Sequence, residues 1–375
     1  MTVKLFEPLS MRGLTIPNRI VVEPMTQFSA DEGVVGNWHM MHLGQFAVSG
    51  AGLVLTESCY VDAIARNNPK SLALYTDAQE AGLAMMGEFF HQQEGGTVFG
   101  PQLCHGGRKA SSRPHWEGGG KLAIEDGGYE AVAPSPIAIR DGWPVPRELT
   151  IKKIQEIIGM FQNSAVRAER ANLDIIELHF AHGYLLHEFL SPKTNQRTDL
   201  YGGSLENRLR LATEVFEAVR SVWPSNKPLG VRVSATDWVE DGWDVEHTIA
   251  LAKRLDMLGC DFMDVSSGGL VPEQKITPAP GYQVYLAEAI KAEVDMKIIA
   301  VGMITKPAHA EEILKKGQAD MIGLARVMLY NPRWPWMAAH ELGAEAAYPK
   351  QYERANPKGW AHPGVALPGN VMKSN

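Results

Sequence analysis

The chain has 375 residues, 45% of them hydrophobic and 21% charged, and a formal net charge of −7. This is the composition of a globular protein with enough length for a large core. The mild acidic excess argues against general affinity for nucleic acid or anionic membranes. The N-terminal segment MTVKLFEPLSMRG lacks the apolar stretch of a signal peptide, and no apolar run reaches the roughly 18 residues of a membrane helix. We therefore expect a cytoplasmic protein.

Short apolar runs recur along the whole chain, each four to eight residues long and most of them rich in Val, Ile and Leu. This pattern is typical of strands covered on both faces, as in a parallel sheet. It predicts eight strands: Ile20–Met25, Leu53–Glu57, Val98–Leu103, Asp174–Phe180, Leu229–Val233, Phe262–Val265, Ile298–Val301 and Met321–Leu324.

Helical patterns separate several of these runs. Thr150 resembles an N-cap before Ile151–Glu169, and Ser204 opens a helix to about Val222. Further helices are predicted at Val245–Leu258, before Gly259, and at Pro307–Lys316, before Gly317. The alternation favours a single-domain (β/α)₈ TIM barrel over residues 1–345. An open doubly wound sheet is the alternative, weakened because no GxGxxG follows the first strand.

Three irregular stretches interrupt the alternation. Residues 106–147 follow the third strand and are polar and rich in Gly, Pro and Trp, which indicates an inserted lid or cap. Residues 267–282 form a second irregular loop, and residues 346–375 are interpreted as a tail or an arm between subunits. The cysteines Cys59, Cys104 and Cys260 are scattered without a CxxC pair, so neither a disulfide framework nor a zinc site is predicted.

Polar residues follow the carboxyl ends of the strands, where barrel enzymes carry their chemistry. His179 and His182 lie three residues apart directly after the fourth strand. Three interpretations stay open: a metal site with Glu177 or His187, a structural pair satisfied by backbone, or two neutral donors to a substrate oxygen with Tyr184 as proton donor.

Arg232 lies in an otherwise apolar strand, where burial without an anionic partner is costly. It is interpreted either as part of a salt bridge inside the barrel or as a cation beside an electron-rich ring or an oxyanion. Gly302-Met303 and Ala325-Arg326 follow the last two strands, the usual place for a phosphate site in such barrels. The alternative for these glycines is a simple turn.

Several long segments together resemble the Old Yellow Enzyme family of FMN-dependent ene-reductases, most of all its thermophilic-like or xenobiotic-reductase branch. The similarity covers essentially the whole chain. It is carried by LFEPLSMRGLTIPNRIVVEPMTQFS, QLCHGGRKA, HFAHGYLLHEFLSPKTNQRTDLYGGSLENRLRL, GVRVSATDW and IIAVGMITKPAHAEEILKKGQADMIGLARVMLYNP.

The resemblance implies an FMN site and a reaction. FMN would be bound by Pro24, Met25, Thr26, Ser58, Gln102, Arg232, Gly302, Met303, Ala325 and Arg326. His179 and His182 would bind the substrate oxygen, and Tyr184 would protonate the α-carbon of an activated alkene reduced with NADPH or NADH. Rival expectations are a flavin-dependent dehydrogenase or demethylase on the same barrel, and a metal-dependent hydrolase.

The chain departs from the branch at three positions. Thr26 replaces the usual Cys, Phe28 replaces a Tyr on the substrate side, and Ala325 replaces a Gly. The branch also sends a C-terminal Arg into the neighbouring subunit, and Arg354 matches that position. This correspondence implies substrate contact by Arg354 in a homo-oligomer, either a dimer or a tetramer.

Overall fold

The computed structural model describes residues 2–359 and contains a closed barrel of eight parallel strands. The strands of the described chain are β1 (Leu9–Met11), β2 (Leu14–Ile16), β3 (Ile20–Val22), β4 (Leu53–Tyr60), β5 (Val98–Cys104), β6 (Val132–Ala133), β7 (Arg147–Glu148), β8 (Ile176–Phe180), β9 (Leu229–Ser234), β10 (Phe262–Ser266), β11 (Lys297–Ala300) and β12 (Met321–Leu324). The barrel order is β3-β4-β5-β8-β9-β10-β11-β12, closed by β12 pairing with β3. The predicted TIM-barrel fold is confirmed.

Helices cover the outside of the barrel because each presents an apolar face to the strands. They are α1 (Asn37–Ala47), α2 (Asp77–His91), α3 (Ile151–Arg170), α4 (Leu185–Leu190), α5 (Leu205–Val222), α6 (Val245–Met257), α7 (Val284–Lys291), α8 (Pro307–Lys315), α9 (Arg326–Tyr330) and α10 (Trp334–Leu342). Thr150 and Ser204 cap α3 and α5 as predicted, accepting hydrogen bonds from Lys153 N and Asn207 N. Both caps satisfy amides that have no partner inside the helix.

The N-terminal hairpin closes the amino end of the barrel. Leu9, Met11 and Ile16 of β1 and β2 pack with Leu53 and Phe262, the first residues of their strands. The opposite, carboxyl end is therefore the open mouth, where a TIM barrel places its functional loops.

Most barrel strands begin or end one to three residues away from the predicted bounds, and the differences are largest in β3 and β4. The first barrel strand ends at Val22 rather than Met25, because Pro24 has no N–H to donate to a neighbouring strand. The second continues from Glu57 to Tyr60, with a register shift between Leu55 and Ser58. The extension carries Ser58 into the ladder opposite Gln102.

Residues 106–147 contain three short 3₁₀ segments, Gly107–Lys109, His115–Glu117 and Ile124–Asp126, and no α-helix. Their role as a lid stays a prediction.

The C-terminal stretch has 3₁₀ segments at Lys350–Ala355 and Pro357–Gly359, while residues 360–375 of the predicted arm lie outside the described residues. All three cysteines are buried and unpaired. Within residues 2–359 no helix is long and apolar enough to cross a membrane.

Candidate functional site

The register of the parallel strands brings distant polar residues side by side near the barrel mouth. Strands β4, β5 and β8 align one row, and strands β8, β9 and β10 align a second. The rows are Ser58–Gln102–Glu177 and His179–Arg232–Asp264.

Arg232 is buried between carboxylates. Its Nη2 lies 2.8 Å from Glu23 Oε2, and its Nε lies 2.7 Å from Asp264 Oδ2. Together with Glu177, these two acids form the carboxyl cluster (Glu23, Glu177 and Asp264), and all three are at most 1% exposed. The internal salt bridge that the sequence left open is therefore present.

Burial dominates the protonation of this cluster. It raises the pKa of Glu23 well above its ordinary value, and the attraction of Arg232 opposes that shift only in part. It also raises the pKa of Glu177 to about 8 and that of Asp264 above its usual range. Burial alone lowers the pKa of Arg232, but Asp264 and Glu23 outweigh it, so the guanidinium stays charged.

Ser58 and Gln102 are joined to the same cluster by hydrogen bonds. Ser58 donates to Gln102 Oε1 at 2.9 Å, and Gln102 Nε2 donates to Glu177 Oε1 at 2.7 Å. The chain of donors fixes the Gln102 amide in one orientation.

A cavity of about 380 Å³ opens beside Arg232, between the loops that follow β11 and β12. Its lining includes four residues predicted to hold a phosphate, Gly302, Met303, Ala325 and Arg326, together with Glu23. Gly302 has φ 119°, which an L-residue rarely adopts. Arg326 is exposed, and its guanidinium makes no hydrogen bond or ion pair within residues 2–359.

Gly323 of β12 lies against the same acid. A Cβ at this position would overlap Glu23 Oε1, a group held by its ion pair with Arg232. The absence of a side chain at 323 therefore makes room for the buried carboxyl.

The imidazole cluster, formed by His179, His182 and Tyr184, lies at the end of β8. The ring of His179 is 5.2 Å from that of His182 and 4.9 Å from that of Tyr184, both edge to face. The His182 amide donates to Ser234 Oγ at 2.9 Å and its carbonyl accepts from Lys109 Nζ at 2.5 Å, which holds its left-handed backbone (φ 58°). The three side chains thus meet in one place.

The two imidazoles are not satisfied by backbone. His182 Nε2 pairs with Ser266 Oγ at 2.8 Å, while the buried Nδ1 of His179 has no partner within the described chain. Burial and then the charge of Arg232 lower the pKa of both rings well below their ordinary value, so both are neutral near pH 7. A neutral ring offers one donor and one acceptor.

Tyr184 is a protonated phenol at neutral pH, because burial raises its pKa. Its hydroxyl accepts a hydrogen bond from Asn67 Nδ2 at 3.3 Å, and Lys109 Nζ lies 5.6 Å from its ring centre. Burial lowers the pKa of Lys109 to about 8, the first of several causes.

The loop after β3 is tied down at its centre. Gln27 N donates to Glu57 Oε2 at 2.9 Å, and Glu57 Oε1 pairs with His39 Nε2 at 3.0 Å. Pro24, Met25 and Thr26, on the N-terminal side of Gln27, are half-buried. Phe28 has φ 47° and meets Trp116 of the 106–147 segment edge to face at 5.7 Å.

Two residues named from the sequence are not part of this grouping. Arg354 lies in the exposed Lys350–Ala355 segment, and contact with another subunit stays a prediction for this single chain. His187, named as a metal ligand, instead pairs with Asp237 at 2.9 Å in the core. No group of three metal-ligating side chains converges within residues 2–359.

The sequence reasoning missed several residues of the site. Glu23, Glu57 and Asp264 are acids inside apolar runs, the same signal that singled out Arg232. Asn67 and Trp116 lie in irregular loops, where no periodic pattern marks them.

Residues 4–345 match the profile of the family described as NADH:flavin oxidoreductase / NADH oxidase. The chain belongs to this NADH:flavin oxidoreductase family. An NADPH dehydrogenase from Geobacillus sp. (strain WCH70) is 44% identical over 96% of this chain and 99% of its own length.

Solved structures give the same family from their folds. Morphinone reductase in complex with tetrahydroNAD matches with a TM-score of 0.73 and 28% identity, over 92% of both chains. An old yellow enzyme homologue from Zymomonas mobilis matches with a TM-score of 0.75 and 25% identity, over 92% of this chain and 94% of its own. The expected membership of the Old Yellow Enzyme family is confirmed, and the chain is an FMN oxidoreductase that takes electrons from NAD(P)H.

The residues at the barrel mouth fit this cofactor. The cavity combines the left-handed Gly302 backbone and the Arg326 guanidinium, which has no partner among residues 2–359, with the buried, charged Arg232. Backbone amides and a guanidinium suit a phosphate, and a buried cation suits the electron-accepting end of a flavin ring.

Proposed function

We propose that this flavin oxidoreductase reduces carbon–carbon double bonds conjugated with a carbonyl or nitro group. The observation that carries the proposal is the meeting of two neutral imidazoles and a protonated phenol at the barrel mouth. This combination suits a substrate with an oxygen to be held and a carbon to be protonated. The small-molecule substrate class of the proposal is therefore an activated alkene.

The proposed cofactor contacts divide into a ring end and a phosphate end. At the ring end we assign Pro24, Met25, Thr26, Ser58, Gln102 and Arg232. At the phosphate end we assign Gly302, Met303, Ala325 and Arg326, which line one cavity. The unpaired Arg326 and the left-handed Gly302 support the phosphate end, because both leave polar groups ready for an anion.

FMN, when bound, supplies the chemistry of receiving a hydride from NAD(P)H and passing it to the alkene. His179 and His182 then hold the substrate oxygen by donating hydrogen bonds to it. Both rings are neutral, so each can donate one N–H to the developing oxyanion. Without a net charge, the pair does not bind anions from solvent in place of the substrate.

Tyr184 is proposed to give its phenolic proton to the α-carbon. Burial keeps the phenol protonated, and Asn67 Nδ2 and Lys109 Nζ lie where they stabilise the phenolate that remains. Phe28 offers no hydroxyl on the substrate side, so we expect apolar alkenes to be preferred. Arg354 is proposed to reach the substrate of a neighbouring subunit.

Substitution of Tyr184 by Phe tests the proton transfer. Under anaerobic conditions, NADPH should bleach the yellow Tyr184→Phe protein at the wild-type rate. Re-oxidation by cyclohexenone or maleimide should slow by about 10²–10⁴-fold, the usual contribution of a positioned general acid. Both half-reactions are followed by stopped-flow absorbance.

A quinone acceptor, which needs no protonation at carbon, is the matched control and should re-oxidise both proteins equally fast. Full activity of Tyr184→Phe on every enone would show that Tyr184 is not the proton donor.

The wild-type protein tests the reaction class. If NADPH bleaches it but no enone or nitroalkene re-oxidises it, the result would point to a flavin-dependent dehydrogenase or demethylase instead. Protein that stays colourless with excess FMN would contradict the proposed cofactor contacts.

A further inference from the structure

Glu23 is a buried acid that the proposed reaction does not use. It follows β3 directly, is 1% exposed and lines the cavity assigned to the cofactor. Its Oε2 lies 2.8 Å from Arg232 Nη2, and its Oε1 has no hydrogen-bond partner within residues 2–359. An acid in such a place is costly unless a proton or a cation neutralises it.

One guanidinium faces three carboxyl groups here. If all of the carboxyl cluster were ionised beside Arg232, the buried group would carry two uncompensated negative charges. Glu177 accepts a hydrogen bond from the amide of Gln102, whereas Glu23 and Asp264 lie against the same guanidinium, at its Nη2 and its Nε. A hydrogen bond between two carboxyl groups requires a proton on one of them.

We propose that Glu23 and Asp264 hold one shared proton against Arg232, and that this pair makes the binding of FMN proton-linked. The proposal rests on the placement of the flavin ring beside Arg232. It does not depend on which substrate the enzyme reduces.

The direction of the linkage follows from two effects of the cofactor. The ring displaces water from the cavity, which further disfavours a charged carboxylate in its wall. The ring also interacts with the Arg232 guanidinium. This weakens the attraction between Arg232 and the ionised form of Glu23. Both effects raise the pKa of Glu23, so FMN binding takes up a proton and becomes weaker as the pH rises.

Another acid near Glu23 titrates in the tested range, since burial raises the pKa of Glu177 to about 8, and the Glu23→Gln variant separates the two groups. The charged and titratable groups that face it come from β8, β9, β10 and the loops around the cavity: Glu177, Arg232, Asp264, Tyr282 and Arg326. From β12 it meets the carbonyl of Leu324, which accepts from Glu23 N at 3.1 Å, and Gly323, and neither residue carries a titratable side chain. Burial is the largest cause of its raised pKa, ahead of the opposing effect of Arg232.

The test is a titration of the FMN-stripped full-length chain with FMN, followed by flavin fluorescence at pH 7, 8 and 9. The phosphate of FMN, with its second pKa near 6, is already ionised over this range. The wild-type dissociation constant should rise by up to about tenfold per pH unit, the slope of a one-proton linkage. Glu23→Gln, which resembles the protonated acid, should bind FMN with a dissociation constant that stays flat.

Glu293→Gln is the control, because Glu293 is an exposed acid paired with Lys253. It should keep the wild-type slope. Equal slopes for wild type and Glu23→Gln would overturn the proposal.

A second measurement uses the wild-type protein alone, so it does not require that Glu23→Gln folds. Calorimetric titration of the wild type in two buffers of different ionisation enthalpy counts the protons exchanged on binding. Uptake of a fraction of a proton at one or more of the three pH values supports the proposal, and no uptake at any of them overturns it. Failure to bind FMN at all would count against the cofactor placement instead.

Discussion

The imidazole cluster and the carboxyl cluster lie on adjacent strands, and burial acts on them in opposite directions. It lowers the pKa of His179 and His182 and raises that of Glu23 and Glu177, so both clusters lose charge. Arg232 stays charged, because Asp264 and Glu23 raise its pKa more than burial lowers it. The buried guanidinium of Arg232 therefore lies beside the cavity where a flavin ring would meet it.

The two directions give opposite dependences of stability on pH. A histidine with a lowered pKa contributes its full stability above about pH 6.5 and loses it as the pH falls below that value. A carboxyl with a raised pKa contributes fully below about pH 4.5 and loses stability as the pH rises toward its folded value.

The largest expected effect comes from replacing Arg232, the cation that pairs with the carboxyl cluster. Arg232→Met leaves Glu23 and Asp264 without a cation, and breaking a buried pair in this way costs about 3–5 kcal/mol. We expect a matching loss in the free energy of unfolding by urea, together with loss of FMN from the purified protein.

The control for this variant is Arg333→Met, which removes a partly buried Arg whose guanidinium stacks on Trp336. It should keep FMN. Retention of wild-type stability and full FMN content by Arg232→Met would mean that the carboxyl cluster is protonated throughout and needs no cation.

A second test uses an acid of the same kind outside the cavity. Burial raises the pKa of Glu188 to about 8, and Glu188 Oε1 accepts from Arg108 N at 2.8 Å. In the wild type, the raised pKa of Glu188 should lower the free energy of unfolding by on the order of 2–4 kcal/mol between pH 5 and pH 8. Glu188→Gln should lack this contribution. Urea unfolding of FMN-bound protein at the two pH values measures it.

Glu217→Gln, a change of an exposed acid, serves as the comparison and should leave the pH dependence as in the wild type. An unchanged pH dependence in Glu188→Gln would indicate that Arg108 keeps this carboxyl ionised.

The smallest effect is expected in the imidazole cluster, whose partners are neutral. Ser266→Ala removes the hydroxyl 2.8 Å from His182 Nε2, and a neutral hydrogen bond contributes only about 1 kcal/mol. The variant should unfold slightly more easily, and its KM for an enone should rise more than its kcat falls.

Ser10→Ala, on the exposed β1–β2 hairpin, is the matched control with no expected effect on KM. A loss of stability in Ser266→Ala as large as that of Arg232→Met would contradict the distinction between the two clusters.

The strands were predictable because both faces of a barrel sheet are covered. That condition favours apolar runs, and every residue of the eight barrel strands except Lys297 is buried. Their ends were less predictable: Pro24 stops β3 early for want of an N–H, and a register shift carries β4 on to Tyr60.

The site was predictable residue by residue but not pair by pair. Arg232 stands out as a charge in an apolar strand, yet its partners depend on the register between strands. Glu23 lies more than 200 residues away in sequence, and only closure of β12 against β3 brings it near. The pKa directions also escaped prediction, because they depend on burial in the folded chain.

Gly323 and Glu23 constrain each other across the seam where the barrel closes. A methyl group at 323 would occupy the space of the Glu23 carboxyl and would lie 2.5 Å from Val301 Cγ1, so a side chain at 323 requires a shorter residue at 23 and a shift of Val301. We expect the two positions to covary among relatives, with glycine at 323 wherever an acid stands at 23. A double change such as Glu23→Ser with Gly323→Ala should therefore be better tolerated than Gly323→Ala alone.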